Sequence, residues 1–262
     1  MIMDDHQAFK SECEQEINRQ GSDPELRDLT SKWLAKAAAF KYSYHFEWLG
    51  RPIIQHPQDM VGVQQLLWNI QPDLVIETGI ARGGSIIFYA SMLELIAACG
   101  GNPDAKVLGI DIDIRQHNLD AIRAHPMSKR IEMIQGSSVS AETFSQVKKL
   151  AQGHKRILVC LDSNHTHDHV LEELKLYAPL VSPGSYCVVF DTIVEDLPED
   201  VGPPRPWGKS NNPKTAVFEY MKQLESGALR GADDQPLAFE IDRQLEDQLL
   251  ITVAPSGFLR RK

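Results

Sequence analysis

Glu77-Thr78-Gly79-Ile80-Ala81-Arg82-Gly83-Gly84-Ser85 places an acid, three glycines and a terminal hydroxyl at spacings that suit ligand binding. An apolar run, Leu74 to Ile76, precedes it, and an apolar stretch from Ile86 to Cys99 follows. The order strand, glycine turn, helix opens a nucleotide-binding α/β unit, where glycine allows a sharp turn and a close ligand approach. A dinucleotide fold needs G-x-G-x-x-G to seat a pyrophosphate on the helix N-terminus. Here the pattern is E-x-G-x-x-x-G-G, which suits a cofactor with an amino acid and an adenosine but no phosphate. That chemistry points to S-adenosylmethionine. Glu77, Gly79, Gly83 and Ser85 are assigned to its methionine end, while Arg82 either meets the methionine carboxylate or faces solvent.

A second acid, Asp111, ends the apolar run Val107–Ile110, with Asp113 two residues on. In open α/β sheets, ligands lie at the carboxyl ends of the strands, and an acid there accepts ribose hydroxyls. Asp111 is the preferred ribose partner, and Asp113 reads as a cap for the following helix. Two further runs end in acids. Ile157–Leu161 leads into Asp162-Ser163-Asn164-His165-Thr166-His167-Asp168-His169, and Val188-Val189-Phe190 leads into Asp191-Thr192. In a parallel sheet Asp162 and Asp191 emerge beside the cofactor pocket, and Asp162 borders the cofactor itself. Two hard oxygen donors suit Mg²⁺, which takes its other ligands from water and substrate oxygens. Such an ion lowers the pKa of a substrate hydroxyl, and His165 is placed to take the proton. Three histidines within five residues alternatively suit Zn or Fe. Asp168 and His169 read as the start of the next helix.

The elements that must position these groups follow from periodicity and punctuation. Helices are expected over 5–20, 24–40 and from Pro57 to the residues before Asp73, with Ser22-Asp23-Pro24-Glu25 as a helix start. Strands at 74–76, 107–111, 131–134, 157–161 and 186–190 alternate with helices near 86–99, 115–124, 141–151 and 169–177. Such alternation predicts a parallel sheet with helices on both faces. After a long loop, 191–213, a helix at 215–224 leads to strands at 237–241 and 248–253, giving seven strands with an antiparallel end. The loop, with Trp207 to Asn212, is a candidate acceptor lid. The stretch from Phe40 to Gln55, rich in aromatic residues, is either a core or subunit patch or a cover for the site.

The 262 residues suit one sizeable α/β domain (57–262) with a helical, aromatic-rich extension (1–56). A formal net charge of −9 argues against nucleic acid or an anionic membrane as partner. No apolar run approaches the ~20 residues of a membrane span. Met1 to Gly21 lacks a signal core, and the four cysteines show no paired spacing, so a cytoplasmic protein is expected.

The blocks Val75–Ser85, Leu161–His167, Ser182-Pro183-Gly184-Ser185-Tyr186 and Arg205-Pro206-Trp207-Gly208…Asn212-Pro213 together resemble the cephalosporin hydroxylase-like group that includes rhamnosyl O-methyltransferases. The likeness runs from about Trp48 to Met221. It implies a class I methyltransferase (Rossmann-like) fold, S-adenosylmethionine and, in several relatives, a Mg²⁺ ion beside the acceptor. It also implies that Asp162 is a metal carboxylate and His165 the base. Relatives carry Glu-Asp where this chain has Phe190-Asp191, so one acid is missing and Thr192 or a water is the candidate replacement. The resulting expectation is a Mg²⁺-assisted O-methyltransferase for a sugar, glycan or glycosylated metabolite, working as a homo-oligomer. Two other readings are a non-haem iron oxygenase, with His165, His167 and Asp162 or Asp191 as its triad, and a non-catalytic cofactor-binding subunit.

Overall fold

Residues alternate between two buried faces along each central strand. Val75, Val107, Leu158, Cys160 and Val188 point to one side, and Ile76, Leu108, Val159, Leu161 and Val189 to the other. The computed structural model describes residues 5–199 and 204–262. Its main sheet is built from β3 (Leu74–Thr78), β4 (Lys106–Asp111), β5 (Ile131–Gln135), β6 (Ile157–Leu161), β7 (Tyr186–Val189), β8 (Phe239–Ile241) and β9 (Phe258–Arg261). Their spatial order is β5-β4-β3-β6-β7-β9-β8, all parallel except β9, which runs antiparallel to both neighbours. One face carries α3 (Pro57–Ile70), α4 (Gly84–Ala98) and residues of α5 (Gln116–Ala124) and α9 (Arg243–Leu249). The other carries α6 (Ala141–Ala151), α7 (His167–Tyr177) and α8 (Pro213–Leu224). The seven-stranded, doubly covered sheet is the expected one. No helix among the described residues is long and apolar enough to cross a membrane.

Strand order reverses at β3, which pairs with β4 on one side and β6 on the other. Ligands of open α/β sheets bind in the crevice at such a point. The ladder continues past the strand ends, with Gly79 N–H donating to Ile110 (2.7 Å), Asp162 N–H to Thr78 (2.9 Å) and Phe190 N–H to Leu161 (3.0 Å). These bonds hold the loops after β3, β6 and β7 in register at one edge.

Three elements differ from expectation. Residues 248–253 form no strand. Asp242 caps α9 through the Leu245 N–H at 3.0 Å, and the chain then turns at Leu250 with φ +56°. The last strand is instead β9, inserted between β7 and β8. Its two arginines interrupt the apolar run, and the Nη2 of buried Arg261 is paired with Asp233 at 2.6 and 2.9 Å. Asp113 does not cap α5, whose N-cap is Arg115 without a side-chain bond. Within the extension, α1 (Asp5–Ser22) and α2 (Pro24–Ala38) are followed by an unforeseen hairpin, β1 (Phe46–Trp48) and β2 (Arg51–Ile53). Trp48 packs on Phe88 of α4 and donates to Ser91 Oγ at 2.9 Å. The Gln20 amide of α1 donates to the Asp247 carbonyl of α9 at 2.6 Å.

Gly79 has φ +93°, and a Cβ there would lie 2.0 Å from the Asp162 carbonyl oxygen. The neighbouring loop therefore demands glycine before any ligand does. Gly79→Ala is expected to destabilise the ligand-free fold by about 2 kcal/mol or more, which lowers the melting temperature by roughly 5 °C. A wild-type melting temperature for this variant would refute the contact.

Candidate active site

Four carboxylates gather at the crevice, and each is treated differently by its surroundings. Glu77, at the end of β3, is fully buried; its Oε2 accepts from Ser85 Oγ at 2.7 Å and its Oε1 has no partner. Burial pushes its pKa up to about 8, with Ser85 pulling the other way. Asp111 uses Oδ2 to accept from the N–H groups of Ile80 (2.8 Å) and Ala81 (3.1 Å), and Oδ1 to accept from Asp113 N–H (3.0 Å). It pins the glycine loop as well as facing the crevice. Gly83, with φ +85°, forms the N-cap of α4, and a Cβ there would meet Ile122. Arg82 is exposed, and its carbonyl accepts from the Arg51 guanidinium.

Asp162, His165 and Asp191 converge. One ligand atom from each lies within 4.8 Å of the others. His165 Nε2 is 3.1 Å from Asp191 Oδ2, and its ring meets Trp207 edge-on at 4.8 Å. Burial, and then the charge of Asp191, hold the Asp162 carboxyl well above the usual carboxylate range. Asp191 adopts the left-handed conformation, φ 55°, which turns the chain sharply out of β7. Thr192 does not join the cluster, because it is fully buried and its hydroxyl donates to the Pro255 carbonyl at 2.7 Å. Phe190 points into the core. His167 also lies outside the cluster, with Nδ1 2.8 Å from Thr215 Oγ1 of α8. The two-histidine iron triad therefore lacks its second imidazole.

Three cavities meet around this cluster. The first, about 310 Å³, is lined by Gly79, Ala81, Asp111, Ser138, Asp162 and Trp207. A second, about 210 Å³, runs along Gly79, Arg82, Ser85, Gln55, Asp162 and Asp191. The third and largest, about 440 Å³, lies between Tyr42, Tyr44, His56, Asp191, Arg205 and Trp207. Gly79, Ala81, Asp162 and Ser163 border both of the first two, and Asp191 borders the second and third.

The aromatic segment divides between its two expected roles. Trp48 joins the core, whereas Tyr42, packed edge-to-face with Trp33 (5.1 Å) and Phe46 (5.0 Å), and Tyr44 line the largest cavity. Residues 200–203 of the candidate lid fall outside the described residues. The rest of that loop is braced: Asn211 accepts from His167 N–H at 2.9 Å, and Glu195 accepts from Ser210 N–H at 2.8 Å. Trp207 is thereby held as a wall between two cavities.

Four residues escaped sequence reasoning. His169 does lie in the first helical turn of α7, as expected, but it also borders the first cavity, 3.1 Å from Ser138 and 3.2 Å from Ser163. Gln55 reads only as the end of the aromatic stretch, His56 as the last residue of the extension and Asp59 as part of the start of α3. Buried Asp59 accepts from Thr252 Oγ1 and from Val253 N–H (2.9 Å), fixing the segment that closes the cavities, and burial pushes its pKa up to about 7. Burial lowers the pKa of His56, which faces the largest cavity. A signal existed in the four polar residues packed around Pro57, but polar lead-ins to helices are common and carry no chemistry alone.

Comparison with known proteins identifies the family. Residues 40–262 match the family model described as Rhamnosyl O-methyltransferase/CmcI. The chain is 32% identical to a rhamnosyl O-methyltransferase of Mycobacterium tuberculosis strain H37Rv over 204 residues, covering 78% of this chain and 73% of that protein. It is also 32% identical to one from Mycobacterium leprae strain TN, covering 82% of each. A solved structure described as cmcI with Mg and SAM superimposes with a TM-score of 0.52 at 18% identity, over 84% of this chain and 77% of the other, and shows the same fold. The chain belongs to the Rhamnosyl O-methyltransferase/CmcI family of S-adenosylmethionine-dependent O-methyltransferases.

Proposed function

We propose that the chain methylates a hydroxyl of a sugar, on a glycan or glycosylated metabolite, with S-adenosylmethionine in the two smaller cavities and the acceptor in the largest. The observation that carries this reading is the meeting of the three cavities at Asp162, His165 and Asp191. The descriptions of the mycobacterial relatives support a sugar acceptor. An aromatic wall beside polar groups suits a sugar carried on an apolar group.

The donor sets fit both groups. The glycine loop borders both smaller cavities; Asp111 accepts from its Ile80 and Ala81 N–H groups, and Glu77 accepts from Ser85 just beyond it. Asp162 and Asp191, held close together, repel one another in a site where burial already disfavours charge, which is the environment a hard divalent cation relieves. Asp162 and Asp191 would hold Mg²⁺, and bound there it would lower the pKa of the acceptor hydroxyl while S-adenosylmethionine supplies an electrophilic methyl group. With Phe190 in the core, the chain would offer the ion no third carboxylate here.

The chain's own residues align and deprotonate. Methyl transfer is an in-line displacement, so orientation supplies much of the acceleration. Trp207 and Tyr44 confine the acceptor, and Trp207 also closes the nucleoside side. Asp191 orients the His165 ring at 3.1 Å, and the imidazole takes the hydroxyl proton.

Asp162→Asn and Asp191→Asn are expected to lose Mg²⁺-stimulated methyl transfer to a rhamnosyl acceptor. His165→Ala should retain S-adenosylhomocysteine binding while kcat falls about 10²- to 10⁴-fold. Full activity of His165→Ala, or of the wild type in EDTA, would overturn the mechanism.

Glu77 gives a pH test. Its pKa is raised from 4.5 to about 8 in the fold, so between those values the folded chain holds a proton that the unfolded chain has lost. This group's contribution to stability therefore falls as pH rises through that window and then levels. The ammonium of a bound cofactor favours the carboxylate. Binding of S-adenosylhomocysteine near pH 7 should release a proton and strengthen towards pH 8, and Glu77→Gln should abolish both effects. Calorimetry in buffers of different ionisation heat measures the release, and pH-independent wild-type affinity without it would contradict the assignment.

A further inference from the structure

Gln55 is 2% exposed, and neither its Nε2 nor its Oε1 has a hydrogen-bond partner. A buried amide left this way destabilises the free fold, and such a group calls for an explanation. Gln55 lines the second cavity together with Gly84, Ser85 and Asp162, and is absent from the lining of the largest cavity. The residues leading to it press on the first turn of α4. A Cβ on Gly84 would lie 2.2 Å from the Pro52 carbonyl oxygen and 2.6 Å from Ile53 Cα. The N-cap of α4 is Gly83, with no side chain to satisfy the first N–H groups of the helix. An uncapped helix N-terminus and an unpartnered buried amide thus share one cavity.

The chemistry of that cavity matches an α-amino acid zwitterion. A helix N-terminus favours an anion, and a glutamine amide offers two N–H donors and one acceptor without adding charge. We propose that Gln55 belongs to the cofactor site and reads the amino-acid end of S-adenosylmethionine, with Nε2 donating to the methionyl carboxylate at the N-terminus of α4. The proposal rests on the placement of that cofactor in the two smaller cavities. Gln55 and Asp111 then grip opposite ends of one ligand, Gln55 the amino acid and Asp111 the nucleoside.

Two ligands separate the ends: S-adenosylhomocysteine, and 5′-methylthioadenosine, which keeps the nucleoside thioether and lacks the amino acid. In titration calorimetry on the full chain, Gln55→Leu should weaken S-adenosylhomocysteine about 10- to 100-fold. It should leave 5′-methylthioadenosine unchanged, and the melting temperature should hold or rise as the unsatisfied amide is removed. Gln55→Glu, close in shape, should weaken S-adenosylhomocysteine at least as much by repelling its carboxylate. Asp111→Ala should weaken both ligands. Unchanged S-adenosylhomocysteine affinity in Gln55→Leu, equal losses for both ligands, or a raised acceptor KM with cofactor affinity intact would overturn the proposal. A wild-type chain that binds neither ligand would instead overturn the cofactor placement on which it rests.

Discussion

Four carboxylates forced onto one edge of a parallel sheet are the constraint on which the site depends. Glu77 and Asp111 lie at the ends of β3 and β4, Asp162 and Asp191 just beyond β6 and β7, and the ladder fixes their order as firmly as it fixes the strands. Charges so placed, partly out of water, cost free energy unless something answers them. Each is answered differently. Backbone N–H groups of the glycine loop satisfy Asp111, and Glu77 keeps its proton and a serine. The Asp162 and Asp191 pair has one imidazole between them and room for a cation. The repulsion among these carboxylates and the positive ligands proposed for them have the same electrostatic origin.

The two ends of the chain complete what the sheet begins. Residues 42–56 supply Tyr42, Tyr44, Gln55 and His56 to the cavities, and α2 adds Leu34. The segment around Val253 reaches the same cavities, and Asp59 ties it to the first turn of α3. Trp207 borders both the first cavity and the largest, so one ring is shared by the two spaces proposed for nucleoside and acceptor.

Much of this was legible in the sequence because parallel strands announce themselves. Buried on both faces, they read as short apolar runs, and an acid directly after such a run must lie at the ligand edge. Asp162, His165 and Asp191 were found in this way and do come together. The final strand escapes the pattern because Arg260 and Arg261 break its apolar run, and only the fold reveals that Asp233 pairs with buried Arg261. Thr192 looked like a replacement ligand from its position next to Asp191, but a left-handed turn at Asp191 sends it into the core. Gln55 and Asp59 carry no local signature, because their meaning lies in what packs against them from distant parts of the chain. Gly79 was recognised for its conformational freedom, yet its nearest demand comes from the Asp162 carbonyl.

The claim at the centre of this account is that the acidic edge is completed by a cation held between Asp162 and Asp191. Electron paramagnetic resonance titration of Mn²⁺, in the presence of S-adenosylhomocysteine, tests it without an acceptor. The account predicts one tightly held ion per chain, displaced by Mg²⁺, lost in Asp191→Asn and retained in Glu77→Gln. Absence of bound ion in the wild type, or binding that survives Asp191→Asn unchanged, would contradict it.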